Sequence, residues 1–82
     1  MKIEGKNAED KKKQLDGFLQ KGRRYRFRLD DNITIEAEYD FITVDEDGFV
    51  LALKNVQSKD DDWFNSDNMM IDVETIVNAE ER

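Results

Sequence analysis

The sequence predicts a mainly β domain, in which an N-terminal helix leads into a strongly bent five-stranded antiparallel sheet forming a small open barrel. Three observations carry this expectation. From residue 24 onward, apolar residues alternate with polar ones in short runs, the period-2 pattern of half-buried strands. Before them, Leu15, Phe18 and Leu19 fall at helical spacing instead. Clusters of Asp, Asn and Gly separate the runs, and no proline interrupts them.

The elements follow in order. The 82 residues read as one domain, 1–82, with residues 1–6 as a flexible tail. Asn7 suits a helix N-cap, and Asp10 sits near the positive end of the helix it starts. That helix is expected over residues 8–21, with Gly22 just past its end. It is too short to be stable alone and must lay its apolar stripe on something else. The barrel is expected over residues 24–80. Arg24-Tyr25-Arg26-Phe27-Arg28-Leu29 alternates strictly, with arginines on one face and large apolar residues on the other. Asp30-Asp31-Asn32 is a turn. Residues 33–41, from Ile33 to Phe41, form a longer alternating strand that must bend to serve two parts of one sheet. Asp45-Glu46-Asp47-Gly48 is the next turn. Residues 49–56 are apolar on both faces and read as the most buried strand. Residues 57–68 form a polar loop carrying Trp63-Phe64. Met69-Met70-Ile71-Asp72-Val73 and Ile76-Val77-Asn78-Ala79-Glu80 are the last strands, joined by one tight 3₁₀-like turn.

Composition removes several functions. There is no cysteine, hence no disulfide framework or thiol chemistry, and no histidine, the commonest general base and metal ligand. No cofactor, metal or enzyme activity is expected. Without a membrane-length apolar run or a signal-peptide core, the expected location is cytoplasmic. The net charge of −7 is polarised. Residues 1–28 hold ten Lys/Arg against four Asp/Glu, and residues 29–82 hold three against sixteen. One basic and one acidic surface are therefore expected.

A barrel of so few strands stays open and leaves two unpaired borders. Complementary borders on one molecule can pair head-to-tail and close a ring. At this point the residues resemble the Sm/LSm family, whose bacterial branch is Hfq, over about residues 8–80. The order of helix, five strands, variable third loop and one-turn link is similar. Leu29-Asp30-Asp31-Asn32 stands where the family has Leu-x-Asp-Gly, and Ala37 where a glycine usually lets the second strand bend. Met70-Ile71-Asp72-Val73-Glu74-Thr75-Ile76-Val77 has the shape of the second family motif. The resemblance implies a homo-oligomeric ring, joined fourth strand to fifth, that binds single-stranded RNA at its pore. The joints would bury Met69, Met70, Ile71, Ile76, Val77 and Asn78. Two departures stand out. Gly48 sits nearest the position of the base-binding asparagine, and Asp72-Val73 replaces Arg-Gly, putting a carboxylate where a phosphate would come.

The basic residues are the other candidate RNA contacts. Lys11, Lys12, Lys13, Lys21, Arg23, Arg24, Arg26 and Arg28 could form a phosphate track, or a solvated face paired with Glu36 and Glu38. Tyr25, Phe27, Tyr39, Phe41 and Phe49 read as core from their spacing. Trp63-Phe64 either folds back as a cover or anchors a neighbouring subunit or partner. Asp60-Asp61-Asp62 reads as a solvated run rather than a cation site. The leading expectation is an Sm-like ring that holds RNA or ribonucleoprotein parts through its basic segment. The alternatives are a ring-shaped protein scaffold without RNA and a monomeric SH3-like adaptor.

Overall fold

Helix α1 (Ala8–Phe18) precedes strands β1 (Arg24–Leu29), β2 (Thr34–Asp45), β3 (Gly48–Gln57), β4 (Ser66–Asp72) and β5 (Ile76–Glu81). A 3₁₀ turn at Asp62–Phe64 lies before β4 and another at Val73–Thr75 joins β4 to β5. The structure is a computed structural model and describes residues 1–5 and 7–82. All pairings are antiparallel, in the order β4-β3-β2-β1-β5. β4 and β5 do not pair with each other, so the sheet curls without closing, as an open barrel.

The curl comes from bulges, each of which inserts a residue and sharpens local twist. Glu36 pairs with Gln57 but Glu38 with Lys54, so β3 holds one extra residue there. Within that stretch Asn55 takes φ 51, the left-handed region that asparagine tolerates. Asp40 is the inserted residue on β2, between the pairs Tyr39–Leu53 and Phe41–Ala52. On β5, Val77 is inserted between the partners of Arg28 and Leu29. Ala37, fully buried, needs none of the freedom of a glycine because the bulges supply the bend.

The bulge at Asp40 corrects one expectation. A one-residue shift moves the following side chains to the opposite face. Phe41, expected in the core, is instead 45 % exposed. The other alternations hold. Tyr25, Phe27 and Leu29 of β1 are buried, and Val50, Leu51, Ala52 and Leu53 of β3 are buried in succession. Leu15, Tyr25, Phe27, Ile35, Leu51, Leu53, Val73 and Ile76 form the centre of the core.

The helix is shorter than expected, ending at Phe18 rather than Lys21. Asn7 caps its start, accepting from the Asp10 N–H at 3.0 Å. Gly17 weakens the last turn, and Leu19 leaves the helix in extended conformation with its side chain in the core. The Gln20 N–H then donates to the Tyr25 hydroxyl at 2.8 Å, a partner no sequence pattern announces. The β1–β2 turn forms at the expected place. Asn32 takes φ 67 where the resembled family has glycine, and the Leu29 N–H donates to the Ile33 carbonyl at 2.8 Å. Gly48 takes φ 138 beside the two-residue turn at Glu46 and Asp47, a geometry that favours glycine.

The start of the chain is the main correction. The flexible tail expected over residues 1–6 does not hold for residues 1–3, and Lys6 lies outside the described residues. Ile3 is 3 % exposed and belongs to the core cluster. Its N–H donates to the Val77 carbonyl at 3.0 Å, the Ala79 N–H donates to the Met1 carbonyl at 2.8 Å, and Lys2 bridges Asn78 antiparallel. Residues 1–3 thus lie along the outer border of β5. The signal was the alternation Met1-Lys2-Ile3, a strand pattern too short to stand out.

Candidate functional site

The basic residues do not gather into a free phosphate track. On α1, the Lys11 ammonium donates to the carbonyls of Glu74 (2.7 Å) and Ile76 (3.1 Å), closing the end of the β4–β5 link. Lys12 pairs with Asp16 at 2.7 Å and also stands over the Phe49 ring. Lys21 and Lys54 both reach Asp40, at 3.5 and 3.8 Å. Arg23 pairs with Glu81, and Arg24 donates to the Asn55 carbonyl at 3.1 Å. Arg26 lies 3.7 Å from Glu36 and 4.0 Å from Glu80. Glu36 also takes Arg82, at 3.1 Å. Six of the eight candidate cations are therefore engaged by their own chain; Lys13 and Arg28 have no such partner among the described residues. Lys13 sits on α1, whereas Arg28 sits on β1 across from Thr34 and Asn78. Of the strand arginines only Arg26 meets Glu36 across the sheet; Arg24 turns to a main-chain carbonyl, and among the described residues no ion pair joins any of them to Glu38.

The acidic loop is organised by its own carboxylates. Asp60 accepts from the Thr34 N–H at 2.7 Å, tying the loop to the start of β2. Asp61 caps the first 3₁₀ turn by accepting from the Trp63 N–H at 2.9 Å. Asp62 lies 3.4 Å from the Asn65 side-chain amide. No group of three or more metal-ligating side chains converges among the described residues. The loop's product is a fixed presentation of two aromatics. Their rings meet edge to face with centroids 5.0 Å apart. Phe64 packs against the core while Trp63 stays 73 % exposed. Phe64 thus folds back as a cover, whereas Trp63 does not.

Trp63 and Phe64 wall a groove of about 200 Å³ between the loop, β4 and the β1–β2 turn. Leu29, Met69, Met70 and Ile71 supply the rest of its apolar lining. Asp30, Asp31 and Asp72 are the charged residues on it, and no cation lines it. Beside the groove runs the outer border of β4. One side of that strand pairs with β3 from Val50–Asp72 to Val56–Ser66; no strand covers the other among the described residues. The cross-strand register also aligns Phe41, Ala52 and Met70 in one row over β2, β3 and β4. Phe41 and Met70 are 45 % and 57 % exposed, so an apolar row leads outward to the bare border. The sequence could not show this row, because it depends on the Asp40 bulge.

The predicted joint residues divide accordingly. Ile71 and Ile76 are buried in the chain's own core, and Met69 packs against it. Val77 and Asn78 are half-buried beneath residues 1–3. Met70 alone of this set is exposed on an uncovered border. Gly48 lies in the β2–β3 hairpin, and Asp72 and Val73 lie at the end of β4. Val73 is fully buried and Asp72 is exposed.

A polar depression of about 290 Å³ lies near the start of β2, lined by Arg26, Thr34, Glu36 and Asp60 among others. Arg26 and Glu36 are paired within it and Asp60 accepts from the Thr34 N–H, while Lys59 also stands on its lining. Near α1 one phenol is perturbed. Burial, followed by the carboxylates of Asp16 and Asp40 and then Tyr25, pushes Tyr39 above its ordinary value. That phenol stays neutral across the ordinary pH range and carries no chemistry by itself.

These features define a small open β-barrel with one covered border and one bare one. No family model matches the chain, and no curated protein matches it. No helix among the described residues is long and apolar enough to cross a membrane.

Proposed function

We propose that this domain is a protein-recruiting module of Sm-like architecture that captures a partner's extended segment along β4. The single observation that carries the reading is the bare border of β4 set beside the Trp63–Met70 groove. An added strand gains main-chain hydrogen bonds from such a border and specificity from side-chain pockets next to it. Its outward residues would extend the Phe41–Ala52–Met70 row, since cross-strand neighbours are the unit of sheet stabilisation. Its inward residues would meet Trp63 and Met69. This joins the scaffold and adaptor expectations, without the RNA contact that the paired basic residues do not favour.

A head-to-tail ring is the second reading. In its favour, the order β4-β3-β2-β1-β5 puts the fourth and fifth strands on opposite borders, as pairing between successive subunits requires. Such a ring must first displace residues 1–3 from β5. It must then join two acidic strands, β4 with Asp67 and Asp72 and β5 with Glu80 and Glu81, and like charges brought opposite each other destabilise a sheet.

Light scattering and the emission of Trp63, the single tryptophan, test the two readings together. Recruitment predicts a mass near that of one chain and a blue shift of Trp63 when an extended peptide binds. A mass several times larger at low concentration favours the ring. A monomer whose Trp63 responds to no extended peptide of any charge overturns recruitment. A labelled uridine-rich oligomer should show no salt-sensitive binding; a steep loss of affinity with added salt would restore the RNA reading.

A further inference from the structure

We propose that the segment received along β4 is cationic, an extended strand in which Lys or Arg alternates with apolar residues. The inference rests on the recruitment reading and names the chemistry of its partner. Two independent features carry it.

The first is charge. The groove presents Asp30, Asp31 and Asp72 with no cation on its lining. Asp67 adds a further carboxylate near the start of β4, and Asp61 and Asp62 stand in the loop that holds Trp63. These acids surround apolar surface at Met70 and Trp63, so a partner must bring apolar side chains and positive charge together. A lysine does both, because its stem lies on apolar surface while its ammonium reaches outward. Over β4, the stem would cover Met70 and the ammonium would reach Asp72, which follows Met70 by two residues on the same face.

The second is that the molecule covers its other border with a short extended segment of this alternating pattern, although there Glu80 and Glu81 are met by Arg26 and Arg23 rather than by the segment's lysine. β5 ends in Glu80-Glu81, and Glu74 stands in the link before it. What lies along it is Met1-Lys2-Ile3, an apolar, a basic and an apolar residue in extended pairing. Ile3 points into the core at 3 % exposure, while the Lys2 side chain points out and pairs with Glu4 at 3.2 Å. The same pattern over β4 puts apolar residues on Met69 and Trp63 and basic residues on the outer face, over Met70 and beside Asp72.

Three octapeptides test the proposal by titration into the full chain, read by Trp63 emission and by the amide signals of β4. One alternates lysine with valine, one threonine with valine and one glutamate with valine. The expected order of affinity is lysine, threonine, glutamate, with about two- to fivefold gained per carboxylate met. The advantage of the lysine peptide should vanish near 1 M salt, where the screening length is about 3 Å. In the double variant Asp67→Lys and Asp72→Lys, both exposed positions, the order should invert. Circular dichroism identical to the parent would show that the variant is folded. Equal binding of all three peptides would overturn the cationic assignment and leave recruitment standing. No response to any of them would remove recruitment itself.

Discussion

The two borders of this sheet carry the same sign of charge and meet opposite fates. β5 is acidic and covered: residues 1–3 pair with it, Ile3 fills the space beneath, and the Lys11 ammonium caps the carbonyls of Glu74 and Ile76 at its start. β4 is acidic and bare, with Met70 and Trp63 exposed beside it. An uncovered border is a hazard that proteins blunt with charge or cover with chain. Here cover is applied to one border, and charge alone guards the other. The difference teaches that the bare border is the one left accessible, and that its carboxylates discourage self-pairing while attracting a cationic strand.

Removing the cover should erase the difference, with the largest effect. Ile3→Ala deletes a fully packed side chain and should cost about 2–5 kcal/mol in denaturant unfolding. It should also loosen residues 1–3, so that the mass by light scattering rises with concentration as β5 becomes available. Loss of stability without such self-association would mean that residues 1–3 serve packing alone. Lys11→Met keeps the stem and removes the two carbonyl caps. It should cost about 1–2 kcal/mol in the same measurement.

A smaller effect concerns pH. Tyr39 holds its proton more tightly in the folded chain than in the unfolded one. Its contribution is therefore fully present below about pH 10 and is lost as pH rises through the folded value. Tyr39→Phe should flatten that alkaline loss in thermal melts. An unchanged alkaline arm would assign it to other groups. The smallest effect on stability is expected at the bare border itself. Trp63→Ala and Met70→Thr should each leave unfolding within about 0.5 kcal/mol of the parent, because both side chains are exposed. Each should nonetheless weaken the lysine–valine peptide about tenfold, as loss of an anchoring contact does. Unchanged binding by both variants would separate the groove from recruitment.

Much of the barrel was legible because it follows from periodicity. Arg24 through Leu29 alternates in sequence and in burial, and the Asp-Asn and Asp-Gly turns appear where their residues permit left-handed backbone. What periodicity hides are single-residue insertions. The bulge at Asp40 turned Phe41 outward and built the row to Met70, yet nothing in the alternation from Ile33 to Phe41 marks it. Gly22 reads as a terminator, yet the helix ends earlier, at Phe18, and Leu19 enters the core in extended conformation. The basic segment was visible as composition, but its partners lie far along the chain: Glu74 for Lys11, Asp40 for Lys21 and Glu81 for Arg23. The acidic loop looked like a solvated run, and only its hydrogen bonds show that Asp60 and Asp61 position Trp63. Met1-Lys2-Ile3 carried the right pattern over too few residues to read as a strand.

Amide hydrogen exchange, resolved by residue, compares the two borders most directly. With the free chain, the amides of β5 that face residues 1–3 should exchange slowly and the outward amides of β4 quickly. Adding the lysine–valine octapeptide should slow exchange along Ser66–Asp72 and leave β5 unchanged. Outward β4 amides already slow in the free monomer, or new protection confined to β5, would contradict the account.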